Sequence, residues 1–378
     1  MDLHSTYPGI HDLKRRARRR LPHFVWEYID SGTGTDTARQ RNRHALDAVV
    51  MAPSILHGEQ EPDTSARLFG HTYPLPFGIA PIGMSGLVWP DAERLLARAA
   101  AAADIPYTLS TVASQAPEDM SAALGDRAWF QLYPPKDPDI RLDTLNRART
   151  AGFQTLVLTV DVPVASRRER QTRSGLTQPP RLTPRLLAQI MVRPAWAAGM
   201  ARHGVPRMRM LEKYIETAQN LPPTAHIGYL LRTSPDMDYV KWLRDHWDGP
   251  FVVKGVLRSN DVSDLEKAGV DALWVSNHGG RQFDAAPASI DALPGIRAAT
   301  DLPVIFDSGI EGGLDILRAL SKGADFVMLG RAFLYGLAAL GASGPSHVID
   351  ILRQDLHANM GQMGIASLDQ VPQGQFGN

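Results

Sequence analysis

The sequence predicts an α/β protein: a (β/α)8 TIM barrel with an N-terminal helical extension and a long insertion after the fourth strand. Three observations carry this. Eight short apolar runs recur along the 378 residues, helical patterns fall between them, and each run ends on a polar or backbone-exposing residue. The runs are Phe77–Ala80, Pro106–Ser110, Ala128–Leu132, Thr155–Val160, Phe251–Lys254, Asp271–Ser276, Leu302–Phe306 and Ala324–Leu329. They are apolar on both faces, as parallel strands covered on both sides must be. A doubly wound open sheet is the rival, and strand count does not separate the two. The strand ends carry the stronger argument. They are Ala80-Pro81, Ser110, Gln131 with Tyr133, Thr159 with Asp161, Lys254, Ser276 with His278, Asp307, and Gly330-Arg331. In a barrel these meet in one ring at the C-terminal face, where active sites are built.

The elements follow in order. Residues 1–76 form the extension: Pro22–Asp30 reads as a helix, and Ala66–Phe69, Gly70-His71 and Thr72–Pro74 as a hairpin closing the barrel bottom. The barrel spans 77–368. Its helices are Asp91–Ala103, Asp137–Ala151, Asp261–Ala268, Ile290–Ala299 and Leu314–Ser321. The insertion occupies about 162–235, and Asp236–His246 supplies the helix leading into the fifth strand. A tail covers 369–378, and Gln373–Asn378 are expected to be loose.

Composition narrows the function classes. With 44% hydrophobic and 21% charged residues the chain can fill a large core, which excludes global disorder. Forty basic residues balance forty acidic ones, which argues against a whole-protein nucleic-acid binder. There is no cysteine, so disulfides, thiolate metal sites, iron–sulfur clusters and cysteine nucleophiles are excluded. The twelve histidines show no paired metal-ligand spacing, and no metal site is expected. No apolar run of about 18 residues and no signal-peptide core is visible. The expected location is cytoplasmic, with peripheral contact at the inner face of the cell membrane left open.

Ser276-Asn277-His278-Gly279-Gly280-Arg281 is the sharpest constellation. A histidine just beyond a barrel strand can act as a base near neutral pH. The glycines leave room for a ligand ring, and an arginine three residues on can grip a carboxylate at two points. A structural loop is the bland alternative. Asp307-Ser308-Gly309, Gly312-Gly313 and Gly330-Arg331 follow the last two strands, the usual barrel phosphate site, with backbone N–H groups at a helix start plus a cation. Lys254 can form a Schiff base, bind phosphate or stabilise an anionic cofactor ring. Asp161 can orient an imidazole or cap a loop. Arg167-Arg168-Glu169-Arg170 begins the insertion, with one arginine free to point inward.

The SNHGGRQ run, Phe130–Tyr133 (FQLY), Leu158–Asp161 (LTVD) and Lys254–Val256 (KGV) each sit on the expected strand. The chain resembles, from about Leu21 to about Leu368, the FMN-dependent L-2-hydroxy-acid dehydrogenases and oxidases. Gly83–Pro90 and Leu329–Leu337 are similar to the mandelate dehydrogenase branch. The resemblance implies FMN as cofactor and His278 as the base, oriented by Asp161. It implies that Arg281 and Arg168 bind the substrate carboxylate with help from Tyr28, and that Tyr133 bonds the hydroxyl side. Lys254 would stabilise the reduced flavin. Ser110, Gln131, Thr159 and Ser276 would contact the ring or ribityl chain, backed by Ala80-Pro81-Ile82. Asp307, Gly309, Gly330 and Arg331 would hold ribityl and phosphate. A homotetramer is implied as well.

Two positions depart from the family pattern. Glu311 stands where a phosphate-binding arginine is usual, so it must turn away or weaken FMN binding, with Arg331 carrying more of the phosphate charge. Val112 stands where the family varies from tryptophan to a small residue, leaving intermediate room for an aromatic or medium aliphatic side chain. The expected reaction is oxidation of an L-2-hydroxy acid such as mandelate or lactate, with electrons passed to a quinone or another carrier. Use of oxygen would make it an oxidase. A flavin-dependent isomerase is argued against by the set His278, Arg281, Arg168 and Asp161. A non-catalytic membrane-associated barrel with weakened FMN binding is the rival from another class.

Thr172–Leu211 contains seven arginines, no acid, and interleaved Leu, Ile, Met and Trp. That pattern suits an interfacial segment on anionic lipid. The resemblance extends to Arg193–Trp196 and Arg202–Pro206, and the mandelate branch attaches to membrane through this insertion. The alternative is an active-site lid packed on a neighbouring subunit.

Overall fold

The computed structural model describes residues 2–120, 123, 127–176, 183–215 and 233–372. Ala66–Leu68 (β1) and His71–Tyr73 (β2) form an antiparallel hairpin. Eight strands follow: Phe77–Ile79 (β3), Tyr107–Ser110 (β4), Ala128–Leu132 (β5), Thr155–Thr159 (β6), Phe251–Val256 (β7), Ala272–Val275 (β8), Val304–Phe306 (β9) and Phe326–Leu329 (β10). They pair in parallel in sequence order, and β10 closes onto β3. The barrel, not the open sheet, is the fold.

The strand period of two builds both the core and the site. Phe130, Leu132, Leu156, Leu158, Val253, Leu273, Val275 and Phe306 point outward, into the layer shared with the helices. Trp129, Val157, Val252, Trp274, Ile305 and Met328 point inward and fill the barrel. Two residues further along the same strands come Gln131, Thr159, Lys254, Ser276, Asp307 and Gly330. The polar ring is therefore the top layer of the packed interior. At the opposite end Leu68, Phe69 and Tyr73 of the hairpin cap the interior; Phe69 meets Trp129 and Tyr73 meets Phe326, with ring centroids 5.7 and 5.4 Å apart.

The five barrel helices expected from sequence are present within one or two residues at each end, as is Met237–Asp245 before β7. The helix expected at Pro22–Asp30 runs His23–Asp30. Besides the single turn Leu3–Thr6, the extension holds two longer helices not expected from sequence, Ile10–Arg20 and Thr37–Asp47. The first lies along Arg331–Leu340 and buries Ile10, Leu13 and Ala17; Arg16 and Arg20 both donate to the carbonyl of Ala339 at that helix's end. The second buries Ala38, Asn42 and Leu46, one face at i, i+4, i+8. Leu368–Gln370 form a short turn with Val371 buried, while Gln373–Asn378 lie outside the described residues.

Candidate active site

The strand ends surround a cavity of about 660 Å³, roofed by the N-terminal helices and the start of the insertion. Tyr28, Ala80, Pro81, Ile82, Val112, Gln131, Tyr133, Thr159, Arg168, Lys254, His278, Arg281, Asp307, Gly309, Gly330 and Arg331 line it. Of the residues singled out in the sequence, Ser110, Ser276 and Asp161 stand behind this wall. Ser110 Oγ donates to Gln131 Oε1 at 2.7 Å, and Ser276 Oγ accepts from Lys254 Nζ at 2.6 Å. Both serines orient the groups in front of them.

Asp161 holds His278. Its Oδ1 lies 2.9 Å from the imidazole Nδ1, and Nε2 has no hydrogen-bond partner among the described residues. Burial lowers the His278 pKa below the ordinary histidine value, with Lys254 and Arg168 acting in the same direction and Asp161 against them. The imidazole is thus neutral near pH 7 and able to accept a proton. Burial opposes ionisation of Asp161, but the charges of His278 and Lys254 outweigh it and hold the carboxyl below its ordinary range.

His278, Gly279 and Gly280 all have positive φ, 57°, 61° and 74°. For a histidine this is uncommon backbone, of the kind that surrounding structure must enforce. Gly279 lines the cavity, and both glycines also face protein atoms. A Cβ on Gly279 would meet Arg331 Nη1 at 2.6 Å, and one on Gly280 would meet the backbone N of Arg39 at 2.5 Å. Gly280 lets the N-terminal extension come close, and Gly279 lets Arg331 do so. Asn42 completes the loop. Its amide exchanges two hydrogen bonds with Asn277, at 2.7 and 2.8 Å, and Asn277 Oδ1 accepts from Gly280 N. Asn42 was missed; its one signal is a polar residue on an otherwise apolar helix face.

Arg168, Arg281 and Arg331 line the cavity without a carboxylate partner among the described residues. Arg281 gives Nη1 to Ser31 O at 2.8 Å, and burial, with Arg168 and Arg331 nearby, pushes its pKa well down. An anionic guest would relieve this repulsion. Arg168 is the inward arginine of the charged run; Arg170 instead joins Glu27, Asp30 and Asp36 and fixes the insertion to the extension. Tyr28 donates to Gly83 O at 2.7 Å, so a carboxylate would have to win that hydrogen from the backbone. Val112 packs at the same place: a Cβ on Gly83 would lie 2.6 Å from its Cγ2.

The chain matches the family described as FMN-dependent dehydrogenase over residues 17–377. The chain belongs to the FMN-dependent dehydrogenase family. It is 38% identical over 366 residues to L-lactate dehydrogenase of Pseudomonas aeruginosa (strain LESB58), covering 95% of each chain. Among solved structures it is similar to the monotopic membrane protein (S)-mandelate dehydrogenase, with a TM-score of 0.90 and 31% identity over 96% of this chain and 97% of that one. A mandelate oxidase variant matches with a TM-score of 0.81 and 32% identity, over 97% of each chain.

The cavity of this FMN-dependent dehydrogenase fits a flavin. Among the described residues Gln131 Nε2 and Thr159 Oγ1 are buried without a partner, which suits a ring edge bearing carbonyl and nitrogen acceptors. Lys254 Nζ sits 3.0 Å from Asp307 Oδ2 as well as on Ser276, a buried cation able to face an anionic ring. The glycine-rich loop departs from expectation. The N–H groups of Glu311 and Leu314 are taken by Asp315 and Asp355, and a Cβ on Gly313 would lie 2.1 Å from Leu356 N. Gly313 lets two helices pack at this point. Lys14, Arg39 and Arg43, unread in the sequence, line this end of the cavity.

Proposed function

We propose that the protein oxidises an L-2-hydroxy acid to the 2-oxo acid and passes the electrons to a quinone or another carrier. The observation that supports this best is the neutral His278 braced by Asp161, beside two unpaired arginines in one cavity. A 2-hydroxy acid needs both: a base for its hydroxyl or α-carbon proton and cations for its carboxylate. In this reading Arg281 and Arg168 orient the carboxylate, Tyr133 bonds the hydroxyl side and Tyr28 joins if it leaves Gly83. His278 takes the proton at Nε2, and Asp161 stabilises the imidazolium that results. Bound FMN supplies the two-electron acceptor. Ala80, Pro81, Ile82, Gln131, Thr159, Asp307, Gly309, Gly330 and Arg331 hold it, Ser110 and Ser276 support that set, and Lys254 balances negative charge on the ring. Val112 and Met208 border the cavity and leave space for an aromatic or medium aliphatic side chain, as in mandelate or lactate.

Anaerobic bleaching of the flavin by a panel of 2-hydroxy acids tests the reading. L-mandelate or L-lactate should bleach it, and their methyl esters, which lack the carboxylate charge, should bleach it far more slowly. Reoxidation by a quinone faster than by oxygen supports the dehydrogenase; the reverse order makes it an oxidase. No bleaching by any L-2-hydroxy acid would remove the function.

The insertion supports peripheral membrane contact. Its helices Pro184–Met191 and Pro194–His203 bury Leu186, Trp196 and Met200 against the body, with Trp196 Nε1 donating to Leu87 O. Met210 and Leu211 are buried too, so much of the segment's apolar content is core. Leu187, Met191, Val192 and Val205 remain exposed, beside exposed Arg185, Arg202 and Arg207; Arg181 lies outside the described residues. Among the described residues no helix is long and apolar enough to cross a membrane. Each arginine near an anionic surface is worth roughly 1 kcal/mol. Co-sedimentation with anionic vesicles should be strong at low salt, fall as salt rises, and drop for Met191→Ser/Val192→Ser. Equal binding by both proteins would leave the insertion as a lid. A homotetramer, also proposed, is checked by light scattering.

A further inference from the structure

The end of the cavity beyond β9 and β10 is where a barrel holds a phosphate, yet most of its charge is already committed. Arg43 forks onto Asp47 and Asp315, at 2.6 Å to each, and also reaches Gly309 O. Arg39 pairs with Asp30 at 2.9 Å and Asp36 at 3.8 Å. Among the described residues Arg331 has no carboxylate partner, but its Nε, Nη1 and Nη2 donate to the carbonyls of Ile29, Gly279 and Ser31. Two of the loop's backbone donors are occupied by Asp315 and Asp355. Glu311 adds a carboxylate to the wall.

Lys14 stands apart. The helix Ile10–Arg20, anchored on Arg331–Leu340, carries it over this end of the cavity. Its Nζ lies 3.3 Å from Glu311 Oε1, with Asp30 more distant at 3.9 Å. The side chain is 27% exposed, so it is neither sealed in the core nor free in solvent. An ammonium has three donors. One meets Glu311, and others remain for a guest.

We propose that Lys14 is a phosphate-binding cation of this protein, held over the cavity by Glu311. The carboxylate at position 311 is then a tether: by itself it would repel a phosphate dianion, and with Lys14 against it the repulsion is cancelled and a cation is fixed in place. The proposal rests on FMN occupying this cavity with its phosphate beyond β9 and β10. It assigns to the N-terminal extension a share of cofactor binding that the barrel loops do not carry.

The test is titration of the deflavinated protein with FMN and with riboflavin, which lacks the phosphate. Riboflavin affinity reports the ring site and the fold, and the ratio of the two affinities reports the phosphate. For Lys14→Met we expect FMN affinity to fall by about tenfold or more with riboflavin affinity unchanged. Lys14→Arg should restore most of the ratio. A ratio unchanged in Lys14→Met overturns the proposal. So does an equal loss of both affinities, which would make Lys14 a structural residue. A wild-type protein that does not prefer FMN to riboflavin would overturn the placement of the phosphate itself, independently of Lys14.

Discussion

Replacing His278 with alanine is expected to slow substrate-driven flavin reduction by about 10²- to 10⁴-fold while FMN stays bound. The imidazole combines a neutral state near pH 7 with a charge-stabilising partner, Asp161, 2.9 Å away. Stopped-flow bleaching measures the rate, and the protein-bound flavin spectrum measures retention. Bleaching at the wild-type rate would remove His278 as the base. The pH dependence follows from the same environment. A base with a lowered pKa is deprotonated over a wider range, so kcat/KM should rise with pH through a midpoint below about 6.5, the ordinary histidine value, and then level off. Asp161→Asn removes the main group that raises the His278 pKa. Its acid limb should therefore move to still lower pH, and its plateau should fall because the imidazolium loses its counter-charge. A limb moving to higher pH would contradict the electrostatic assignment.

The barrel and most of the cavity were legible in the sequence because one rule governs both. A parallel strand covered on two sides is apolar along its length, so the eight runs stand out. The interior ends where the period of two reaches a polar residue, as in Trp129 to Gln131 or Val252 to Lys254. What the sequence hid is the roof. Ile10, Leu13 and Ala17 have helical spacing, but they are set among six Lys and Arg side chains in Ile10–Arg20 that read as a solvated face. Only the structure shows Lys14 against Glu311, 297 positions on, and Asn42 against Asn277, 235 positions on. The glycine loops misled for a related reason. Glycine next to a strand end signals close approach, and nothing in the local sequence says whether a ligand or another stretch of backbone approaches. At Gly280 it is Arg39, and at Gly313 it is Leu356.

Arg281→Met is expected to lower kcat/KM for the 2-hydroxy acid by about 30- to 4,000-fold, the range for removing one partner of a buried, hydrogen-bonded charge pair at about 2–5 kcal/mol. Arg281 is half-buried, lies 5.6 Å from the Tyr28 ring centroid and has no carboxylate of its own among the described residues. A substrate carboxylate would supply the missing counter-charge. Arg168 remains and keeps part of the attraction, so KM should rise more than kcat falls if the two share the carboxylate equally. A larger fall in kcat would mean that Arg281 also fixes the angle at which the α-carbon is presented. Arg281→Lys separates charge from shape. It keeps a cation but loses the planar fork, and should recover only part of the loss. Because Arg281 also donates to Ser31 O, loosening of the extension has to be told apart from loss of substrate contact. The methyl ester of the same hydroxy acid does this, since it offers no charge to Arg281. Loss confined to the acid places Arg281 on the carboxylate; equal loss for acid and ester would assign it to holding the N-terminal roof.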